Sequence, residues 1–473
     1  MKTFLFYDVE TTGLNPAFDQ ILTFACIRTD LLLNEIDRQT ITLQLRKDIV
    51  PSPMAFFTHG LTLKDLTCGI TEYKAARKIH HLVNTPGTVS LGYNSLGFDD
   101  EFLRFLFYRN LLDPYAHQYS NSCSRMDILP ITTLYKVFNP GILNWPQIQG
   151  NPSLKLDLLA QENHFVTSGR AHEAMNDVEA LIGLTKRLYV QKDIWEYCLD
   201  FFHKKRDEIR IQNFEKGFDL NGERLIFGIL VSASFGPKVN YIAPAVNIGF
   251  SAPYKNQGLW LRLDSDDILS LDENLSFEDT FVTRKRFGDV PIVLPMLERF
   301  QSKMTLDVSK KMEDNIKKIQ ENPDRFFSFI NYHRDFKYPY VPQIDMDADL
   351  YQGGFFSKDE KNQIQAFHSA FDHGDKNIFE HLKSPRVHVL AKRIIARNCS
   401  DLFDFQNEAE NILRLDALRN KKNQAPVIGY RNDTKLTCAD ALAELDSLGQ
   451  ELLTPTPDQT QMLSWLRRYI ENL

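Results

Sequence analysis

The feature that most constrains this chain is an apolar run, Phe4-Leu5-Phe6-Tyr7, that ends in Asp8-Val9-Glu10-Thr11. The run reads as a short strand, and side chains alternate across a strand. Asp8 and Glu10 therefore share one face, about 7 Å apart along the backbone. Two neighbouring carboxylates repel each other unless a cation lies between them. An acidic pair at a strand end is thus a natural half of a divalent-metal site built from oxygen ligands, although such a pair taken singly is more often a solvated loop start.

The 473 residues are too many for one ordinary core, which predicts two to four domains. A net charge of −7 gives no sign of a generally basic nucleic-acid binder, although a local basic groove can sit inside an acidic total. The six cysteines are scattered without a C-x-x-C, which predicts reduced thiols in a cytoplasmic protein rather than a disulfide framework or a zinc site. No signal peptide is expected, because Asp8 and Glu10 interrupt the first apolar stretch. No run approaches the roughly 18 apolar residues of a membrane span, so no membrane partner is expected.

The texture of the chain changes twice. Residues 1–195 read as a layered α/β domain. Its predicted strands are Thr3–Asp8, Ile21–Arg28, Gln39–Leu45 and Thr88–Tyr93, and its predicted helices lie over Thr71–Leu82, Asp99–Asn110, Asp127–Val137, Leu154–Asn163 and His172–Tyr189. In the last helix Ala180, Leu181, Leu184 and Leu188 share a face. Residues 196–348 open with a charged stretch, Lys204-Lys205-Arg206, read as a solvated linker face. Short strands broken by Gly, Pro and Asn follow (Leu225–Ser232, Val239–Asn247, Gly258–Leu263), as in a barrel or sandwich. Residues 349–473 read as mainly helical. Trp145 and Trp260 are expected in the core.

Two further acidic segments follow the first. In Asn94-Ser95-Leu96-Gly97-Phe98-Asp99-Asp100 a strand ends and a helix begins on an acid. In His172-Glu173-Ala174-Met175-Asn176-Asp177 a histidine stands five residues before an aspartate. Each is weak alone: Asp99 reads equally as a helix cap, His172 as a surface residue and Asp177 as a solvated helix acid.

Together, and in this order, they resemble the DEDDh superfamily of ribonuclease-H-like 3′→5′ exonucleases, with motifs D-x-E-T, N-x-x-F-D (here with one extra residue) and H-x-x-x-x-D. The resemblance implies that Asp8, Glu10, Asp99 and Asp177 hold two divalent cations, Mg²⁺ with Mn²⁺ as the alternative, and that His172 is the general base. Asp99 is preferred to Asp100 because it directly follows Phe98. The chemistry is consistent: phosphodiester hydrolysis needs charge neutralisation at the phosphate, and a histidine can accept a water proton near neutral pH. A five-residue gap predicts that His172 lies on the loop entering the helix.

Phe98-Asp99-Asp100-Glu101, Asn144-Trp145-Pro146, Pro237–Pro244, Gly354-Phe355-Phe356-Ser357 and Ala396-Arg397-Asn398 are similar to the bacterial exodeoxyribonuclease I family. This likeness spans nearly the whole chain. It implies an exonuclease domain (1–195), an SH3-like β-barrel domain (196–348) and a C-terminal helical domain (349–473), closing a groove or ring around the substrate. The implied activity is processive degradation of single-stranded DNA from its 3′ end to 5′-mononucleotides, in DNA repair and recombination. A monomer is expected, with the C-terminal tail of single-stranded-DNA-binding protein as partner. Glu10, Lys155, Arg104, Tyr115 and Tyr119 are the candidate substrate contacts. Lys155 stands where the family carries arginine and lacks the bidentate fork. The alternatives are another DEDDh activity, such as RNA trimming or proofreading, and a catalytically silent nucleic-acid-binding scaffold.

Overall fold

A computed structural model describes residues 2–165, 173–220, 223–266, 268–269, 281–375, 377–398, 426–452 and 454–473. Its contacts form two compact units. One comprises Met1–Arg125, Ser168–Glu179 and Tyr340–Leu473; the other comprises Met126–Thr167 and Ala180–Pro339.

The first unit is built on a mixed sheet with strand order β3-β2-β1-β4-β5, where β1 is Thr3–Thr11, β2 Ile21–Thr29, β3 Glu35–Thr42, β4 Thr88–Gly92 and β5 Ser124–Asp127. β1 is central, antiparallel to β2 and parallel to β4. A strand covered on both faces tolerates no polar alternation, which is why Phe4–Tyr7 form an unbroken buried run. β3 lies at the edge. It runs from Glu35 rather than Gln39, because its first six residues are exposed and, Ile36 apart, polar, and carry no alternating apolar signal.

Helix Glu72–Val83 buries Ala75, Ala76, Ile79 and Val83 against this sheet, the stripe expected of a 3.6-residue period. Helix Asp99–Arg109 is buried almost throughout. The short helices Pro53–His59 and Leu63–Thr67 were not legible in the sequence, since each is too short to show a period. The C-terminal part adds helices Lys358–His373, Pro385–Asn398, Cys438–Glu451 and Pro457–Glu471. Val387, Leu390, Ala391, Ile394 and Ile395 share one core with Phe18, Tyr73, Phe105 and Tyr108. Ala441, Leu445, Leu466 and Ile470 share another with Leu22, Val50, Phe56 and Leu66.

The second unit holds an antiparallel sheet in the order Val282–Arg286, Gln257–Arg262, Ile242–Phe250, Glu223–Val231, Ile292–Pro295, with Lys216–Leu220 also paired to Glu223–Val231. Helices Leu306–Glu321 and Pro323–Asp335 bring Ile319, Phe326, Phe329 and Ile330 onto Val246, Ile248, Leu259 and Leu261. Trp260 is fully buried, whereas Trp145 is half-buried under the Lys136 ammonium, 4.8 Å from the ring centre. The Lys204-Lys205-Arg206 stretch is not a linker. It opens helix Lys204–Gln212 and lies on its exposed side. Among the described residues no helix is long and apolar enough to cross a membrane.

Candidate active site

The end of β1 presents Asp8 and Glu10 as the alternation requires, both half-buried. β4 ends beside it at Gly92. A Cβ there would fall 2.6 Å from the Ser95 side chain and 3.0 Å from the Tyr7 carbonyl oxygen, so the close turn out of β4 requires glycine. Asn94 follows in the left-handed region (φ 61°), and the Asp100 amide donates to the Ser95 carbonyl at 2.8 Å. That turn starts the helix at Asp99 and points its carboxylate back at β1, where Oδ1 accepts the Val9 N–H at 3.2 Å.

Helix Ala174–Tyr189 supplies Asp177 from its first turn, with Ala180, Leu181, Leu184 and Leu188 buried as its periodicity predicts. Carboxylate oxygens of Asp8, Glu10 and Asp177 lie within 4.8 Å of one another. His172 lies outside the described residues.

Gathered acids with this geometry resist ionisation. Burial, then Asp177 and Asp99, pushes the Glu10 carboxyl up to about 8. Burial, then Asp99, Glu10 and Asp177, raises Asp8 well above the usual carboxylate range. A cation shared between the oxygens would remove that penalty, and all-oxygen donors suit a hard divalent ion. The residues present therefore fit such a cation.

Asp100, one residue along, has a different environment. Its carboxylate accepts from His117 Nε2 at 2.8 Å, pairs with Arg104 at 2.7 Å and is held by Arg125. Burial alone would raise its carboxyl, but Arg125, Arg104 and His117 outweigh that and hold it well below the ordinary value. Asp100 is thus committed to a structural ion cluster, which leaves Asp99 as the acid facing β1. The Asp100–Arg104 spacing of four residues was a legible signal for this pairing; His117 and Arg125 carried none.

Arg104, expected to meet a phosphate, is engaged in this same ion cluster. Its side chain is 5% exposed and also pairs with Glu101 at 2.5 Å, and the Tyr351 hydroxyl lies 3.3 Å away. It is therefore held among counter-charges rather than displayed freely. Tyr119 is exposed, while Tyr115 is half-buried with its ring edge-on to Phe355, centroids 5.4 Å apart. Lys155 is exposed ahead of helix Leu156–Glu162 in the other unit.

Comparison with known proteins points the same way as the acidic cluster. The exonuclease family RNase_T matches residues 5–185. Exodeoxyribonuclease I of Buchnera aphidicola (subsp. Acyrthosiphon pisum) is 32% identical over 418 residues, covering 84% of this chain and 97% of that protein. The zinc-bound Escherichia coli exonuclease I–single-stranded DNA complex superposes with a TM-score of 0.82 at 26% identity, covering 100% of this chain and 99% of that one. An SSB/exonuclease I structure with a bound inhibitor superposes with a TM-score of 0.80 at 25% identity, covering 100% and 99%. This relationship carries the ribonuclease-H-like exonuclease fold, the SH3-like part and the C-terminal helices along the whole chain. The chain belongs to the exodeoxyribonuclease I family of 3′→5′ exonucleases acting on single-stranded DNA.

Proposed function

We propose that this activity depends on two divalent cations, Mg²⁺ or Mn²⁺, held by Asp8, Glu10, Asp99 and Asp177. The observation that carries the proposal is the convergence of three carboxylates within 4.8 Å. The chemistry such cations supply when bound is neutralisation of the phosphate and stabilisation of the attacking and leaving oxygens. Asp8 and Asp177 supply the negative charge that recruits them. Asp99 is fixed against β1 by the Val9 amide, and Glu10, at the strand end, is assigned to the 3′-terminal nucleotide as well as to metal.

His172 is assigned as the base that accepts the proton of the attacking water, on its spacing from Asp177. Tyr115, Tyr119 and Lys155 remain assigned to the bound strand, the tyrosines by stacking on bases, which is sequence-tolerant. The division at 195 and 348, a processive run to 5′-mononucleotides, a role in repair and recombination, a monomeric state, a cytoplasmic location and recognition of the SSB tail belong to the same proposal. Family membership supports it.

The test is digestion of end-labelled single-stranded DNA, duplex DNA and RNA in Mg²⁺ and in EDTA. Cleavage confined to single-stranded DNA with Mg²⁺ is expected; equal rates in EDTA would end the metal proposal. In the absence of DNA, adding Mn²⁺ should raise the melting temperature, because it relieves the repulsion that burdens Glu10 and Asp8. His172→Ala should slow turnover by roughly 10²–10⁴-fold, the usual worth of a general base, with little change in metal affinity. An unchanged rate across pH 6–8 would remove His172 from that role.

A further inference from the structure

The loop that leaves the acidic strand is braced from the far end of the chain. Pairing between β1 and β2 shifts register between Glu10 and Thr11, so the regular ladder ends just past Glu10. Beyond it, residues 12–20 fold into a closed loop. The Thr12 amide donates to the Gln20 carbonyl at 2.9 Å, and the Gln20 amide donates to Thr12 Oγ1 at 3.0 Å. Asp19 accepts from Thr12 Oγ1 at 2.9 Å and from the Asn15 amide at 2.8 Å. Gly13 lies so close that a Cβ there would sit 2.5 Å from an Asp19 carboxylate oxygen.

At the tip of this loop Asn15 Nδ2 donates to Asp433 Oδ2 at 2.6 Å, across 418 residues of sequence. Asp433 sits in a tight hairpin of the C-terminal segment. The Lys435 amide donates to the Val427 carbonyl at 2.9 Å, the Gly429 amide donates to the Asp433 carbonyl at 2.7 Å, and the other Asp433 oxygen accepts the Arg431 amide at 3.1 Å. Lys435, buried at the end of the hairpin, donates from Nζ to the Asp48 carbonyl at 2.7 Å. The hairpin is thus closed by its own hydrogen bonds and anchored on both sides of Asp433, through Lys435 to Asp48 and through the Ile428 carbonyl, which accepts the Asp345 amide at 2.9 Å.

We propose that Asp433 is a positioning residue: by holding Asn15 it stiffens the loop behind Glu10 and so sets the affinity of the acidic cluster for a divalent cation. This rests on the metal-site reading above. The physical reason is that the β1–β2 ladder pairs Glu10 with Thr23 and then shifts register before Thr11, so the chain just past Glu10 is held by the loop rather than by a regular ladder. Stiffness on the C-terminal side of Glu10 therefore comes from that loop. A charge-assisted bond to a preformed hairpin supplies it.

The test uses the full chain and Mn²⁺ titrated without DNA, by calorimetry or by electron paramagnetic resonance. Asn15→Asp retains the acceptor for the Ala17 amide but places two carboxylates face to face. It should weaken Mn²⁺ binding roughly threefold to tenfold, less than the 10–100-fold typical of groups that touch a ligand directly. Exchanging the partners, Asn15→Asp with Asp433→Asn, restores one donor and one acceptor and should return the affinity to within roughly twofold of wild type.

A role in stability alone would lower the melting temperature and leave the Mn²⁺ affinity of Asn15→Asp unchanged; that result, or an exchange that restores nothing, overturns the proposal. Should Asn15→Asp fail to fold, Asp433→Asn alone is measured against the same criterion, with weaker Mn²⁺ binding expected. Failure of the metal site itself would look different: the wild-type chain would bind no Mn²⁺, or Asp8→Asn would bind it as tightly as wild type.

Discussion

Asp177→Asn is expected to lower the rate of single-strand cleavage by roughly 10³-fold or more, the equivalent of several kcal/mol of lost charge stabilisation in the transition state. Binding of single-stranded DNA should persist, because most of its affinity comes from backbone and stacking contacts elsewhere. The substitution keeps the size of the side chain and removes one charge from a group of acids that already raise one another. The metal-free variant should therefore melt at a higher temperature than wild type and gain less on adding Mn²⁺. A misfolded variant would lose stability instead, so the two melting curves separate a chemical from a structural cause. Asp8→Asn should behave alike. Full-rate cleavage by either variant would remove these residues from catalysis.

Arg397→Met is expected to destabilise the first unit by about 3–5 kcal/mol, the usual cost of leaving a buried ion without its partner. Arg397 is 2% exposed and bridges Asp48 at 2.8 Å to Asp347 at 2.5 Å. Asp48 also pairs with Arg46 at 3.1 Å, and Arg46 pairs with Glu72 at 2.9 Å. Arg393 reaches Asp345 at 2.6 Å and Asp347 at 3.0 Å. Hydrogen-bonded ions at this depth are expensive to unpair even where a fully apolar substitute would be tolerated.

The same cluster gives a pH dependence. Burial alone would raise Asp48, Glu72 and Asp347, but the arginines outweigh it and hold all three below their ordinary values. Their folded-state pKa values therefore lie below the unfolded ones of about 4. The stability they contribute is fully present above that pH and is lost as the pH falls through the folded-state values. Arg397→Met should move the acid-unfolding midpoint upward. Thermal melts between pH 2 and 7 measure both effects, and an unchanged midpoint would show that Arg397 is dispensable to the cluster.

Much of the acidic cluster was legible because its information is local. Asp8 and Glu10 share a face by the two-residue alternation of a strand, and the helix carrying Asp177 shows its apolar stripe in Ala180, Leu181, Leu184 and Leu188. The choice between Asp99 and Asp100 had only the neighbouring Phe98 to rest on. In the fold the two differ sharply, since one carboxylate meets the Val9 amide and the other meets two arginines and a histidine. Arg104 shows the same limit: a free cation and a buried, paired one look alike until the groups around it are known.

The sequence by itself determined the acidic strand and the order of the acidic motifs, because alternation, helical period and spacing are properties of neighbouring residues, and the likeness of those motifs pointed to the family. Only the tertiary structure decided which acids face a shared space and which are neutralised. It also joined Asp433 to Asn15 and Arg397 to Asp48, bonds that close over hundreds of residues. Such pairings depend on packing, which places charges at hydrogen-bond distance without leaving a periodic trace in the chain.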